Sequence, residues 1–383
     1  MKKALIVTTI SGFLPQFGLN DVKILQSMGY EVYYASNFNR PVYRCDEEEL
    51  KEMGIKLFPV PIEKSPTKIF KNFGAIMKLK RLIEKEKIQL VHVHNPVGAV
   101  VGRIAASMAK NKPIVMYTAH GFHFYKGAPL KNWIVFYTIE RFFARFTDIL
   151  VTINKEDYDR AKKFKYKKGG FAEQIHGVGV NFKKFAPNKE IEVAKREEIE
   201  VPHNAFHIFT AAELNENKKQ SVVIEAISLM DRDDVYYSLC GKGPNAENLQ
   251  ALIEEKNLQD RVRLLGYRYD MHEILQTADC FAFPSIREGL GIAAIEALAC
   301  SVPLVASDNR GTREYIKEDY NGLLCDAHSV SDFKKAIETL MTNKEKRERL
   351  AGNARETAKA FSLEENDRMM RLIFRRADMK VRG

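Results

Sequence analysis

The chain is expected to fold as α/β, as two doubly wound parallel-sheet domains in tandem. Three observations carry that expectation. The 383 residues allow two domains of the usual ~150 residues, each with a sizeable core. Short apolar runs alternate with longer amphipathic segments along most of the chain, the pattern of strands buried on both faces and helices laid over them. The alternation fades once, between Gly169 and His203, and then resumes. Two such domains in tandem imply a central cleft.

In order, residues 3–10 read as a buried strand, with Ser11 and Gly12 opening a loop and a helix over 19–28 closed by Gly29. Strands follow at 31–35 and 55–60, a helix at 67–87, a strand at 90–94, a helix at 98–109, and strands at 113–118 and 148–153. The second run has strands at 206–211, 235–240 and 262–265, with helices at 221–230, 247–256 and 271–277. Residues 279–285 form a strand stopped by Pro284, an apolar helix follows, and 302–307 is the next strand, a βαβ unit. From Val330 onward the pattern is helical, and Ser362 with Glu365 offers a capping-box start for a last helix.

Composition narrows the classes. A hydrophobic share of 45% fits a folded globular chain, and a net charge of +10 favours anionic partners: phosphates, anionic lipid or nucleic acid. The five cysteines are widely spaced with no Cys-x-x-Cys pair, as expected for reduced thiols in a cytoplasm. The first apolar run contains Thr8 and Thr9 and has no cleavage-like site, so it reads as a strand rather than a signal peptide. The best candidate for a membrane span, 133–143, is short and broken by Glu140 and Arg141.

The stretch Glu288 to Glu296 is the richest in chemistry. Gly289, Leu290 and Gly291 form a nearly bare turn at the start of the apolar helix, and amides at a helix N-terminus attract phosphate. Glu296 stands among apolar neighbours, where a carboxylate costs several kcal/mol, by rough estimate, unless something satisfies it. The plainer reading makes Glu296 a buried residue bonded to its own fold and the glycines turn punctuation. Other loops at strand ends add to it: Lys218 and Lys219 after the first strand of the second domain, Gly241 after the next, and Gly266 followed by Tyr267 and Arg268. In the first domain Gly12 follows the first strand, though turn geometry alone explains a lone glycine. His120 and His123 follow the strand at 113–118, where a histidine suits acid/base work or simple loop structure; His123, between two phenylalanines, reads as packing. His92 and His94 share a strand face, but no carboxylate or thiol cluster follows in the chain, so no metal site is expected.

Taken together, Lys218 in its loop, Gly241-x-Gly243-Pro244, residues 262–266, Pro284-Ser285 and the Glu288-x7-Glu296 pattern resemble the second domain of retaining, nucleotide-sugar-dependent glycosyltransferases of family 4. Gly12, His120 before Gly121, and Gly177-x-Gly179-Val180-Asn181 with Phe185 extend the likeness into the first domain, over essentially the whole chain. The resemblance implies the GT-B fold, two Rossmann-like domains facing a central cleft: 1–185 on the acceptor side, with 365–383 packing back on it, and 186–364 binding the nucleotide sugar. It also implies roles. Lys218 would hold the donor diphosphate, Glu288 with the amides of Gly289 to Gly291 the transferred sugar, and Glu296 the ribose hydroxyls, with His120 near the sugar and acceptor. Gly12, Lys219, Gly241, Tyr267 and Arg268 complete the expected donor set, and no metal cofactor is expected. Family members often carry arginine five positions before the lysine; here that position is Glu213, so the resemblance leaves phosphate binding to Lys218 and the helix amides, with Lys219 and Arg287 as further candidates.

The implied reaction moves a hexose or N-acetylhexosamine from a nucleoside-diphosphate sugar, UDP-linked in the family's commonest membership, to a hydroxyl of a lipid-linked or glycan acceptor in capsule- or exopolysaccharide-type synthesis. A cytoplasmic protein touching the inner membrane face fits this. Residues 64–87 carry eight basic and two acidic side chains with apolar residues at helical spacing, and 368–382 carry six and one. Either is a surface helix packed on its sheet or a basic face near anionic lipid. The rival readings are a nucleotide-sugar 2-epimerase, which would consume donor without acceptor, and a non-catalytic basic binder of membrane or nucleic acid. No aromatic-interleaved basic platform or recognition helix supports nucleic acid.

Overall fold

Strands of the first unit follow from their apolar runs: β1 (Lys2–Val7), β2 (Tyr30–Ser36), β3 (Lys56–Pro59), β4 (Leu90–His94), β5 (Ile114–Ala119), β6 (Ile149–Thr152) and β7 (Phe171–Gln174). All pair in parallel, in the order β3-β2-β1-β4-β5-β6-β7. The computed structural model describes residues 2–39, 42–63 and 72–382. Two compact units divide the chain: Met1–Val178 with Glu364–Gly383, and Gly179–Leu363. The central strands β1, β4, β5 and β6 are buried almost throughout, which is why they read as continuous apolar runs rather than alternating ones.

The helix Phe73–Glu86 buries Ala75, Ile76, Leu79, Leu82 and Ile83 in the core of this unit. Its apolar stripe is therefore spent on the sheet, and the basic residues are what face outward. Residues 64–71 of the basic stretch lie outside the described residues. The last helix, Leu363–Arg382, buries Met370, Ile373, Phe374 and Ala377, and its Asp378 accepts hydrogen bonds from Lys2 Nζ and Tyr30 Oη at 2.7 Å each. Packing competes with lipid for this apolar face, and packing wins. Glu140, which interrupts the apolar run at 133–143, is buried opposite Arg103, with Arg103 Nη2 3.0 Å from Glu140 Oε2.

In the second unit β8 (Phe206–Ala211), β9 (Val235–Cys240), β10 (Val262–Gly266), β11 (Cys280–Phe283), β12 (Leu304–Ser307) and β13 (Gly322–Cys325) form a second parallel sheet, ordered β10-β9-β8-β11-β12-β13. In both sheets the chain starts in the middle, winds outward to one edge and returns to the other side. The switch points lie between β1 and β4 and between β8 and β11. At such points neighbouring strand-end loops part, and their carboxyl edge is where open sheets bind ligands.

Several elements were not expected, among them β7, β13 and the helix Lys189–Glu198. β7 is a half-exposed edge strand whose alanine, glutamate and glutamine give no apolar run, and β13 is a four-residue edge strand. The helix Lys189–Glu198 turns Lys195 and Arg196 inward rather than an apolar stripe. Lys195 Nζ reaches Asp270 at 2.8 Å and Glu273 at 2.7 Å, and Arg196 Nη2 donates to the Thr277 carbonyl at 2.7 Å and reaches Asp279 at 3.2 Å. Among the described residues no helix is long and apolar enough to cross a membrane. Cys240, Cys280, Cys300 and Cys325 are buried free thiols, and Cys45 is half-buried.

Candidate active site

β8 ends at Ala211 and β11 at Phe283, so the loops after them flank the switch point of the second sheet. Lys218 comes from the first loop and Glu288 from the second. Lys218 Nζ lies 2.6 Å from Glu288 Oε1, and both side chains are mostly buried. The two loops are stitched together by backbone: Ile286 N donates to the Asn217 carbonyl at 2.8 Å, and Asn217 Nδ2 to the Arg287 carbonyl at 3.0 Å. Lys218 is held in turn by its amide on Asn215 Oδ1 at 3.1 Å. The pair is thus held from both loops, with a cation at the carboxyl edge of the sheet.

The helix Ile292–Ala299 starts beside this pair. Gly291 precedes it at φ 93°, and a Cβ there would come within 2.6 Å of the Phe283 ring and 2.9 Å of the Tyr315 hydroxyl, so only glycine fits. No side chain caps this N-terminus among the described residues, which leaves the positive end of the helix and its amides to an outside acceptor. Leu290 is buried beneath the turn. One turn into the helix, Glu296 has no hydrogen-bond partner among the described residues; its carboxyl keeps some exposure, yet burial pushes it up to about 7, with Lys184 pulling the other way.

A third loop, after β12, backs the Glu288 loop. Arg310 Nε donates to the Glu288 carbonyl at 3.2 Å, and Asn309 Nδ2 to the Ser285 carbonyl at 2.9 Å. A Cβ on Gly311 would meet the Glu288 Cβ at 2.7 Å, so Gly311 sets how closely this loop backs Glu288.

In the first unit, His120 follows β5. Its Nε2 lies 3.1 Å from His94 Nδ1, and the Phe13 ring stands edge-on at 5.0 Å. Burial pushes His120 down to about 4, so the ring is neutral near pH 7. Gly12 sits against the Tyr43 backbone, with the Tyr43 carbonyl 2.4 Å from where a Cβ would be. His123 packs on Phe136, with ring centroids 4.7 Å apart, and with Thr9, Ile10, Asn95, Pro96, Val97 and Phe136 lines a cavity of about 350 Å³ at the β1/β4 switch point. The carboxylate missing beside His92 and His94 in chain order comes from the helix Leu19–Ser27: Asp21 Oδ2 is 3.7 Å from His92 Nδ1, and the three side chains are close enough to share a cation.

The two units each match a family model, Glycosyl transferase 4-like over residues 4–154 and Glycosyl transferases group 1 over 192–357. Bacillus subtilis (strain 168) has a protein named for a glycosyltransferase, EpsD, that is 37% identical over 94% of this chain and 93% of its own length. The chain is a group 1, family 4-like glycosyltransferase.

An Escherichia coli relative named UDP-Gal:alpha-D-GlcNAc-diphosphoundecaprenol alpha-1,3-galactosyltransferase is 28% identical over 74% of each chain. Among solved structures, Anabaena HepE in complex with UDP and glucose superposes with a TM-score of 0.79 at 18% identity, covering 98% of this chain and 99% of that one. The fold is GT-B.

In this glycosyltransferase the strand-end residues of the second unit divide into two groups. Lys218, Glu288, Gly289, Leu290 and Gly291 converge on the β8/β11 switch point, and Lys219 follows Lys218 in a left-handed conformation with φ 50°. Gly241 packs against the Ala212 carbonyl, at the base of the same loop. Tyr267 is exposed at the end of β10, and Arg268 pairs with Asp270 at 2.5 Å and with Glu198. Glu213 is exposed, and its carbonyl accepts from Gln220 Nε2 at 3.0 Å. Sequence reasoning missed Asn217, Arg310, Gly311 and Tyr315. The signal was there for one group: Asn309-Arg310-Gly311 follows a strand, as the other site loops do.

Proposed function

We propose that the protein transfers a sugar from a UDP-sugar to a hydroxyl of a lipid-diphosphate-linked acceptor, with retention at the anomeric carbon, in cell-surface polysaccharide synthesis at the cytoplasmic membrane face. The observation that carries the donor half is the Lys218–Glu288 pair at the switch point, beside an uncapped helix N-terminus. Lys218 and the helix amides meet the diphosphate and take up the charge that develops on it as the sugar leaves. Glu288 then exchanges its ion pair for the hydroxyls of the sugar, and Glu296, which lacks a partner, accepts from the ribose. His120, neutral, serves the acceptor side as a hydrogen-bonding group rather than as a charged acid. No step needs a divalent cation. The Escherichia coli relative, whose name includes a diphosphoundecaprenol acceptor, supports the lipid-linked half.

The test is Glu288→Ala assayed with UDP-glucose, UDP-galactose and UDP-N-acetylglucosamine against a diphosphoundecaprenol-linked sugar. Loss of transfer in a folded variant is expected. Unchanged transfer removes the proposal, and donor turnover independent of acceptor points to an epimerase instead.

A further inference from the structure

His120 is one end of a row of imidazoles. On β4, the His92 and His94 rings lie tilted by 46° with centroids 4.1 Å apart; His94 lies 5.3 Å from His120 with the rings 26° from parallel. Phe13 closes the side of both His94 and His120, at 5.1 and 5.0 Å. Behind them His92 Nε2 is 2.8 Å from Thr118 Oγ1, and Phe374 stands edge-on to His92 at 5.7 Å. These contacts hold His94 in place: it is 3% exposed on a central strand.

The one hydrogen bond that His120's ring makes among the described residues is from its Nε2 to His94 Nδ1, at 3.1 Å. Its Nδ1 has no hydrogen-bond partner among the described residues and is not sealed from solvent. Burial keeps both rings neutral near pH 7. A hydrogen bond between two imidazole nitrogens holds a single proton, and each neutral ring carries one proton in all. If His94 Nδ1 donates, His120 carries its own proton on Nδ1. If His120 Nε2 donates, His94 carries its own on Nε2. Either way the two rings share one tautomer, and His120 offers a ligand Nδ1 alone, as a donor or as an acceptor but not both.

We propose that His94 is a positioning residue for His120, locking its tautomer and ring orientation so that Nδ1 is presented with one fixed hydrogen-bonding role. This rests on His120 belonging to the transfer site. A ring free to flip would offer substrate the wrong nitrogen part of the time, and misplacement on this scale lowers turnover by about 10²-fold.

The experiment uses full-length protein labelled with ¹⁵N-histidine, read at pH 7 by long-range proton–nitrogen correlation, with His120→Ala identifying the His120 signals. Wild type is expected to show His94 and His120 each in one and the same tautomer. His94→Phe, which keeps a ring but removes the polar nitrogens, should give averaged His120 signals and a kcat for UDP-sugar turnover lower by about 10–100-fold, with KM little changed. His94→Asn, whose amide reaches the position of Nδ1, should restore a single tautomer and most of kcat. A His120 that averages in wild type, or that is unaffected by His94→Phe, overturns the proposal, as does His94→Asn being as impaired as His94→Phe. If His120→Ala leaves turnover intact while the tautomers stay locked, the fault lies in the site reading of His120, and the proposal falls with it.

Discussion

Lys218 Nζ and Glu288 Oε1 lie 2.6 Å apart across the switch point of the second sheet, each from a different strand-end loop. Without a ligand, each neutralises the other's partly buried charge. Under the proposed function a nucleotide sugar separates them, Lys218 toward the diphosphate and Glu288 toward the sugar hydroxyls, so donor binding exchanges this ion pair for one with phosphate and for hydrogen bonds to the carboxylate.

Lys218→Ala should therefore do two things. It removes the cation for the leaving diphosphate, costing about 10²–10³-fold in kcat/KM, the usual loss when one charge-stabilising donor is deleted. It also leaves Glu288 unpaired. Steady-state kinetics on the variant checks the first effect, and a lowered thermal midpoint relative to Lys218→Ala/Glu288→Gln checks the second.

Gly311→Ala should disable the enzyme from behind. The added methyl meets the Glu288 Cβ at 2.7 Å and the Glu288 carbonyl oxygen at 3.0 Å, so the carboxylate or the Arg310 loop must move. Overpacking of this kind costs about 1–3 kcal/mol of stability. Activity should fall by more than that cost implies, because Glu288 is displaced; kinetics beside a denaturation curve separates the two.

Glu296 predicts a pH dependence. Its folded pKa of about 7 lies above the ordinary value of 4.5, so the folded state holds the proton more tightly than the unfolded chain. Stability from this group is fully present below pH 4.5 and is lost as pH rises through 7. Glu296→Gln should match wild type at pH 4 and exceed it at pH 8, by up to roughly 3 kcal/mol in urea denaturation. Equal stabilities at pH 8 would show that the carboxylate is satisfied within the fold.

Arg103 and Glu140 make a prediction about stability alone. Arg103 is fully buried, and Glu140 also accepts from Tyr117 Oη at 3.1 Å. Glu140→Ala should cost about 3–5 kcal/mol by stranding the guanidinium, whereas Arg103→Met with Glu140→Leu should recover most of it. Chemical denaturation of the single and double variants decides the point.

The chain order revealed most of the fold because its central strands are buried on both faces, and such strands advertise themselves as unbroken apolar runs. β7 and the helix Lys189–Glu198 were hidden for opposite reasons: the strand lies half-exposed at an edge, and the helix packs inward on paired cations. In the site, Lys218 and Glu288 were legible as strand-end residues, but their contact was not, since 70 positions separate them. Asp21 was invisible beside His92 for the same reason. Arg268 was legible as a strand-end residue, but its pairing with Asp270 and Glu198 was not.

The most direct test of the donor site is a thermal-shift comparison of wild type and Lys218→Ala with UDP, GDP and ADP. Stabilisation of wild type by UDP above the other two, with the shift largely lost in Lys218→Ala, is the predicted result. No stabilisation by any of the three, or an equal UDP shift in Lys218→Ala, would contradict a nucleotide-sugar site built on Lys218 and Glu288.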